Sequence, residues 1–171
     1  MANQASGRLR RLIVAIVSLV ALALFFAVGC STKSDTAKAE VGSCIKINKA
    51  SATDADTEPV DCSADEAVYK IASTNKTKTD CPSPGYTTYT ETSGSDTVAY
   101  LCLYENLKEG KCYATESTNT FSPIDCADPN AKVKVSKRID GQEDETLCAE
   151  DDIQYLTFPE PKLTYCLSAP A

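Results

Sequence analysis

The chain has 171 residues, 43% of them hydrophobic, and carries 24 acidic against 17 basic side chains for a net charge of −7. It contains no histidine, which excludes a catalytic triad built on that residue. Once an N-terminal leader is set aside, the remaining length suits one ordinary domain or two small ones.

The first 29 residues have the order of a secretory signal. Three arginines precede an apolar run from Leu12 to Val28, and a basic region followed by an apolar one is typical of export signals. Small residues then lead to Cys30, a pattern that resembles a bacterial lipobox with Ala27 in place of the usual leucine. We therefore predict a signal peptide over 1–29 and lipidation of Cys30. An uncleaved membrane anchor and plain cleavage beside a chance cysteine are the alternatives.

Residues 30–40 are predicted to be the lipidated cysteine and a flexible tether. The segment STKSDTAKAE contains no large apolar side chain and spans at most roughly 35 Å when extended. Beyond the signal, 14 basic residues face all 24 acidic ones, so the net charge is −10. A surface this acidic repels nucleic acid and anionic lipid headgroups, so neither is expected as a partner. The expected contact with the membrane is the lipid anchor.

An internal repeat organises the rest of the chain. VGSC at 41–44 recurs as EGKC at 109–112, and PVDCSADEAVYKIAS at 59–73 recurs as PIDCADPNAKVKVSK at 123–137. The corresponding cysteines of the two halves are 68, 64, 67 and 64 residues apart. Duplication accounts for this order, and it predicts two four-cysteine modules, 41–106 and 107–171.

Within each module the apolar pattern predicts mainly β-strands. Alternation of apolar and polar residues predicts half-buried strands at 44–48, 67–71 and 131–135. Longer apolar runs at 98–104 and 163–167 predict the closing strand of each module. The expected fold class is therefore β-rich, a tandem repeat of two small disulfide-stapled modules, with a small α+β fold as the alternative.

Two segments between these strands are less regular. The stretch 76–97 is crowded with threonine, which predicts either an exposed strand pair or an irregular loop. The segment 144–154 predicts a helical turn around Cys148.

The cysteines indicate an oxidising compartment. There are nine, so acylation of one leaves eight that can pair. Neither a C-x-x-C pair nor a histidine is present, which argues against zinc, and we expect no metal. Eight cysteines allow 105 pairings, and three per module if each repeat closes on itself. Because a meander returns neighbouring cysteines to each other, we favour Cys44–Cys62, Cys81–Cys102, Cys112–Cys126 and Cys148–Cys166.

The cysteine spacing resembles that of a known family. A G-x-C, then a V-x-C followed by a strand such as Val133–Gly141 (VKVSKRIDG), then a further cysteine and a final L-C-L are similar to the LppU-type lipoproteins of actinobacteria. The resemblance covers about residues 41–171. It implies an exported, envelope-attached protein of unassigned biochemical activity, and it supplies no catalytic residue.

Motifs for catalysis are weak. Ser-x-x-Lys occurs at Ser43–Lys46 and Ser73–Lys76, but no Lys-Thr-Gly follows, and about one chance match is expected from the composition. Acidic runs at 143–145 and 150–152 flank Cys148. They are interpreted as a solvated loop, with a weak calcium site as the alternative. No catalytic residue and no cofactor are predicted.

Tyrosine is the residue type that most suggests binding. Tyrosine supplies apolar bulk with a polar tip, so such residues suit either the core of a tryptophan-free module or a surface that binds a peptide or a glycan. The tyrosines in question are Tyr86, Tyr89, Tyr100, Tyr104, Tyr113, Tyr155 and Tyr165.

Together these patterns predict an exported lipoprotein, held on the extracytoplasmic face of the cell membrane by its lipid. Its expected role is non-catalytic, either structural or in binding an envelope protein or a cell-wall glycan. An envelope enzyme that uses carboxylates is the alternative.

Overall fold

The computed structural model describes residues 33–49, 55–116 and 120–170. The expected signal peptide and Cys30 lie outside the described residues. A short helix precedes ten described strands, and no described helix is long and apolar enough to cross a bilayer. The elements in chain order are α1 (Asp35–Lys38), β1 (Cys44–Lys49), β2 (Asp56–Val60), β3 (Tyr69–Asn75), β4 (Thr87–Ser93), β5 (Asp96–Glu105), β6 (Cys112–Glu116), β7 (Thr120–Ile124), β8 (Val133–Asp140), a 3₁₀ turn (Glu145–Leu147), β9 (Gln154–Pro159) and β10 (Lys162–Ser168).

The strands form two five-stranded antiparallel sheets with the same topology. The order is β2-β1-β3-β5-β4 in the first sheet and β7-β6-β8-β10-β9 in the second. The first sheet lies within the segment 41–106, which we call module 1, and the second within 107–171, which we call module 2. The predicted fold class, a β-rich tandem of two small disulfide-stapled modules, is confirmed.

The repeat extends to single hydrogen bonds. Gly42 and Gly110 both have positive φ, 91° and 79°, a backbone region that glycine enters without a steric cost. Gly42 donates its N–H to the carbonyl of Ile71 in β3, and Gly110 donates to that of Val135 in β8, both over 2.8 Å. A register shift also occurs at the same place in both sheets, after Ile71 and beside Val135. The common backbone geometry therefore comes from duplication.

Strands β2 and β7 were missed by the sequence pattern. Each is an edge strand and carries a proline, Pro59 opposite Ile45 and Pro123 opposite Tyr113. Proline has no N–H to donate, so an edge position is where a sheet tolerates it. Apolar periodicity does not reveal these strands, because DTEPV and TFSPI each contain too few apolar residues to show an alternation. Strand β9, the edge of the second sheet, was also not predicted.

Four disulfides staple the modules, and each closes within one module. Their Cα–Cα distances lie between 5.0 and 5.7 Å, which is ordinary disulfide geometry. The bonds persist only under oxidising conditions, so the protein is extracytoplasmic. The pairs are those favoured from the sequence: Cys44–Cys62, Cys81–Cys102, Cys112–Cys126 and Cys148–Cys166.

The two sheets share one hydrophobic core. Tyr69 and Leu101 of module 1 belong to the same buried cluster as Tyr113, Phe158 and Tyr165 of module 2. The chain from Lys33 onward accordingly forms a single compact unit. Each sheet alone would leave an apolar face in water, and packing the two together buries both faces.

The expected flexible tether over 30–40 differs from the structure in its described part. Ser34 caps α1, and Thr36 and Ala37 are 1% and 4% exposed. Helix α1 contacts β2 and β5. The composition of this segment misled us because small side chains can be buried without the large apolar residues that mark a packed element.

Candidate binding cleft in the first module

Each module has a loop that carries its third cysteine. The loop 76–86 joins β3 to β4, and the loop 141–153 joins β8 to β9. A disulfide ties each loop to the last strand of its module, at Cys102 in β5 and at Cys166 in β10. Because β5 and β10 have corresponding pairing partners, the strand positions beneath the two loops can be compared residue by residue.

The loop of module 2 is closed onto its sheet. Thr164, two residues before Cys166, is fully buried. Its Oγ1 accepts the N–H of Asp144 at 3.0 Å and donates to the carbonyl of Gln142 at 2.9 Å. Farther along, the Asp152 carboxylate accepts the Ser136 hydroxyl at 2.6 Å and a loop N–H at 2.9 Å. These hydrogen bonds hold the loop against β8 and β10.

The loop of module 1 lacks this closure. Tyr100 stands in β5 where Thr164 stands in β10, and its hydroxyl makes no hydrogen bond among the described residues although the residue is only 6% exposed. Four side chains of the loop also make no hydrogen bond within the described part of the chain: Lys78, Thr79, Asp80 and Ser83. The loop is therefore held by its disulfide, by its backbone and, at its last residue, by the hydroxyl of Tyr86, which bonds to Glu160 of module 2. The four side chains without a described hydrogen bond are free to meet a ligand.

A cleft of about 400 Å³ lies under this open loop. Such a volume is within the range of small-molecule sites. Binding residues are disproportionately found on loops held by a rigid scaffold, and the Cys81–Cys102 bond provides that support here. The lining residues are Lys78, Thr79, Asp80, Cys81, Pro82, Ser83, Pro84, Tyr86, Thr88 and Tyr100.

The lining mixes polar and apolar groups, and its two charges are of opposite sign. Three aliphatic hydroxyls and the Tyr100 phenol can each donate or accept a hydrogen bond. Two prolines offer apolar ring faces, while Lys78 and Asp80 contribute one charge of each sign. The hydroxyls of this loop were missed because nothing in their spacing indicates that they face a common cleft.

One wall of the cleft is held by module 2. The Tyr86 hydroxyl donates to the carbonyl of Glu160 at 2.5 Å and accepts its N–H at 3.1 Å. The ring of Tyr86 meets Phe158 edge-on, with centroids 5.4 Å apart. Burial raises the pKa of Tyr86 above its ordinary value, so the phenol stays protonated. The cleft is thus partly shaped by the packing of the two modules.

A buried carboxyl lies where the two modules meet. We call this region the seam and define it as residues 105–108 with Arg138, Phe158 and Tyr165. Glu105 is 3% exposed, and its Oε2 has no hydrogen-bond partner among the described residues. Burial raises the pKa of Glu105 to about 7. A perturbed carboxyl is often a sign of a functional site. Glu105 lines neither the cleft under the loop 76–86 nor the second cleft described below, so we assign it a structural role.

Polar contacts organise the rest of the seam. The Tyr165 hydroxyl donates to the carbonyl of Glu105 at 2.9 Å and accepts the N–H of Leu107 at 3.1 Å. Arg138 lies over the Tyr165 ring, with its guanidinium carbon 5.5 Å from the centroid. It also donates to the Leu107 carbonyl at 3.1 Å and pairs with Asp140 at 2.9 Å. Arg138, part of the VKVSKRIDG motif, therefore joins β8 to the linker between the modules.

The acidic runs of module 2 behave mainly as solvated loop residues. Asp144 caps the 3₁₀ turn, and Asp152 closes the loop as described above. The potential metal ligands of Cys148, Asp152 and Cys166 lie within 4.8 Å of one another. Both sulfurs are in a disulfide and cannot ligate as thiolates, so this group does not form a metal site.

The two Ser-x-x-Lys matches do not form catalytic pairs. Lys46 makes an ion pair with Glu58 at 3.1 Å and no described hydrogen bond with Ser43. The Ser73 hydroxyl accepts the Asn75 amide at 3.4 Å, and Lys76 lies in the exposed loop. Since neither lysine is bonded to its serine, these motifs supply no activated nucleophile.

Most of the singled-out tyrosines lie in the core. Five of the seven are less than 9% exposed, and Tyr89 is partly buried against the core. Tyr155 is the exception, with 48% of its surface exposed. Tyrosine therefore mainly supplies core bulk, and Tyr86 and Tyr100 additionally border the cleft.

A second cleft of about 350 Å³ lies where the modules meet. Its rim carries an exposed ion pair between Lys111 and Asp65, 3.0 Å apart. This pair links module 2 to the β2–β3 loop of module 1. The cleft lacks an unpaired buried polar group, and we regard it as part of the contact between the modules.

Comparisons with known proteins give no assignment. No family model, no curated protein and no solved structure matches the chain. Inference about function therefore depends on the site itself.

Proposed function

We propose that the protein is a lipid-anchored, extracytoplasmic binding protein of the cell envelope, and that the cleft under the loop 76–86 is its ligand site. The observation that carries this proposal is the difference between the two copies. Module 2 closes the equivalent loop with side-chain hydrogen bonds, whereas module 1 leaves its loop open over a cleft. The strands on either side of the two loops have the same order and pairing in both modules, so the difference lies in the loops themselves.

The ligand that best fits the cleft is an uncharged cell-wall glycan. A sugar presents many hydroxyls and few charges, which matches a lining of three aliphatic hydroxyls, one phenol and two prolines. The chain beyond the signal has a net charge of −10, which disfavours polyanionic ligands. A folded envelope protein as partner would need a larger surface than this cleft offers.

The lining also favours binding without catalysis. Hydrolysis of a glycosidic bond by carboxylates usually needs two such groups on either side of the bond. Among the described residues that line the cleft, Asp80 is the only carboxylate. The alternative of a carboxylate enzyme therefore has no observation in its favour.

Titration calorimetry of the purified full chain with soluble cell-wall glycan fragments tests the proposal. We expect saturable binding and unchanged fragments after incubation. Thr88→Arg, which places bulk and charge in the cleft, should weaken binding at least tenfold. Thr92→Arg is the matched control, since Thr92 is exposed on the same face of β4 but pairs with Thr97 rather than with a residue of the cleft, and it should bind as the parent does.

Equal affinity in both arginine variants would remove the cleft as the site. Binding to envelope proteins but to no glycan would overturn the ligand class, and release of smaller fragments would overturn the non-catalytic role.

The anchor is tested separately by mass spectrometry of the membrane fraction. The parent should carry acyl chains at Cys30, and the Cys30→Ala protein should lose both the acyl mass and its processing.

A further inference from the structure

The segment just before module 1 is hydrogen-bonded to Glu91 of β4, a carboxylate that the equivalent position of module 2 does not have. The backbone N–H and the hydroxyl of Ser34 donate to the two carboxylate oxygens of Glu91, at 2.8 and 2.5 Å. The same hydroxyl accepts the N–H of Ala37 at 3.1 Å and caps α1. Two contacts to one carboxylate fix both the position and the direction of the chain here.

Burial continues through the next residues. The Thr57 hydroxyl donates to the Thr36 hydroxyl at 2.9 Å, which joins α1 to β2. Thr36 and Ala37 are almost fully buried, and Ala39 packs against the shared core. The segment 34–39, which we call the strap, is therefore part of the folded unit.

The second module shows that Glu91 is not needed by the scaffold. Glu91 of β4 faces Ala99 of β5, and the corresponding pair in the second sheet is Phe158 and Leu163. Phe158 is 2% exposed and packs at the seam. The same strand position therefore packs in the core in module 2 and binds the strap in module 1. This difference indicates that the Glu91 carboxylate has a role separate from the scaffold.

The chain between the expected lipid and the strap is short. Three residues separate Cys30 from Ser34, so their Cα atoms are at most about 14 Å apart. A free tether reaching to residue 40 would allow roughly 35 Å. Docking of the strap thus removes more than half of the reach.

We propose that the strap mounts module 1 directly on the lipid headgroup surface, with the β4–β5 turn end of its sheet toward the membrane, so that the domain does not swing freely. This rests on the proposed lipid anchor at Cys30. Strand β5 starts at that end and finishes at the seam, so module 2 continues from the opposite end of β5. The membrane-proximal surface consists of the strap, Glu91 and the turn around Gly94.

The first measurement is independent of the lipid. Trypsin cleavage after Lys38 should be slow in the full chain because the bond lies in the docked strap. Glu91→Ala and Ser34→Ala should each accelerate this cleavage at least tenfold. Glu58→Ala is the matched control, since it removes a carboxylate of the same sheet that pairs with Lys46 instead, and it should leave the rate unchanged.

The second measurement uses the lipidated protein in supported bilayers of phosphatidylcholine, whose zwitterionic headgroups do not repel the acidic domain. Neutron reflectometry should place the edge of the protein layer within about 14 Å of the headgroups. Glu91→Ala should broaden the layer outward by roughly 20 Å, and Glu58→Ala should not.

Unchanged trypsin rates in both strap variants would overturn the docking. Faster cleavage with an unchanged protein layer would overturn the mounting on the membrane. Absence of the acyl mass would refute the anchor in the proposed function, while the trypsin result would still decide whether the strap is docked.

Discussion

The two modules have the same strand order, the same cysteine pairs and the same glycine turn, but they use equivalent side-chain positions differently. Phe158 fills the seam in module 2, whereas Glu91 holds the strap in module 1. Thr164 closes the loop of module 2, whereas Tyr100 borders the open cleft under the loop of module 1. Duplication preserved what the backbone requires, and divergence is concentrated at the seam, the strap and the cleft.

The largest expected effect concerns the seam. Phe158→Ala should lower the free energy of unfolding by about 3–5 kcal/mol, because it removes a buried ring that meets Tyr86, Tyr104 and Tyr165. Urea denaturation with the disulfides intact measures this. Alanine at the equivalent Glu91 should have a much smaller effect, since that side chain is partly exposed. An equal loss of unfolding free energy in Phe158→Ala and Glu91→Ala would mean that both positions contribute to the core to the same extent.

The second-largest expected effect is on how the free energy of unfolding changes with pH. The pKa of Glu105 is about 7 in the folded protein against an ordinary 4.5, so the folded state binds the proton more tightly. Stability from this group is fully present below about pH 4.5 and is lost as pH rises through about 7. The gap corresponds to roughly 3 kcal/mol.

Glu105→Gln should therefore raise the free energy of unfolding at pH 8 by about 3 kcal/mol and change it little at pH 4. Chemical denaturation across this range tests the sign. Glu66→Gln, at an exposed position of module 1, is the control and should leave the pH profile unaltered. A Glu105→Gln protein with the parent's pH profile would show that this carboxyl does not cause the dependence.

The smallest effect concerns the loops. Thr164→Val keeps the shape but leaves the Asp144 N–H and the Gln142 carbonyl without their partner, so it should cost roughly 1–2 kcal/mol. The loop 141–153 should also exchange its amide hydrogens faster. The corresponding change in module 1, Tyr100→Phe, removes a hydroxyl with no described partner and should be nearly neutral. A comparable cost for the two changes would contradict the contrast between the closed and the open loop.

Local patterns predicted much of the scaffold. Alternating residues identified β1, β3 and β8, and the apolar runs identified β5 and β10, because strand periodicity is visible in adjacent residues. The edge strands with Pro59 and Pro123 were missed, since their periodicity is weak. The open cleft was not predicted, because Ser83, Thr88 and Tyr100 come together only after the loop folds over the sheet.

By itself, the sequence determined the duplication, the strand-rich modules and the oxidising compartment, because cysteine order and side-chain alternation are properties of neighbouring residues. Only the tertiary structure decided that the two modules share one core, that Oε2 of Glu105 is buried with no hydrogen-bond partner among the described residues, and that residues 34–39 are docked. These features depend on contacts between residues distant in the chain, where the burial of each side chain is set by the surface packed against it.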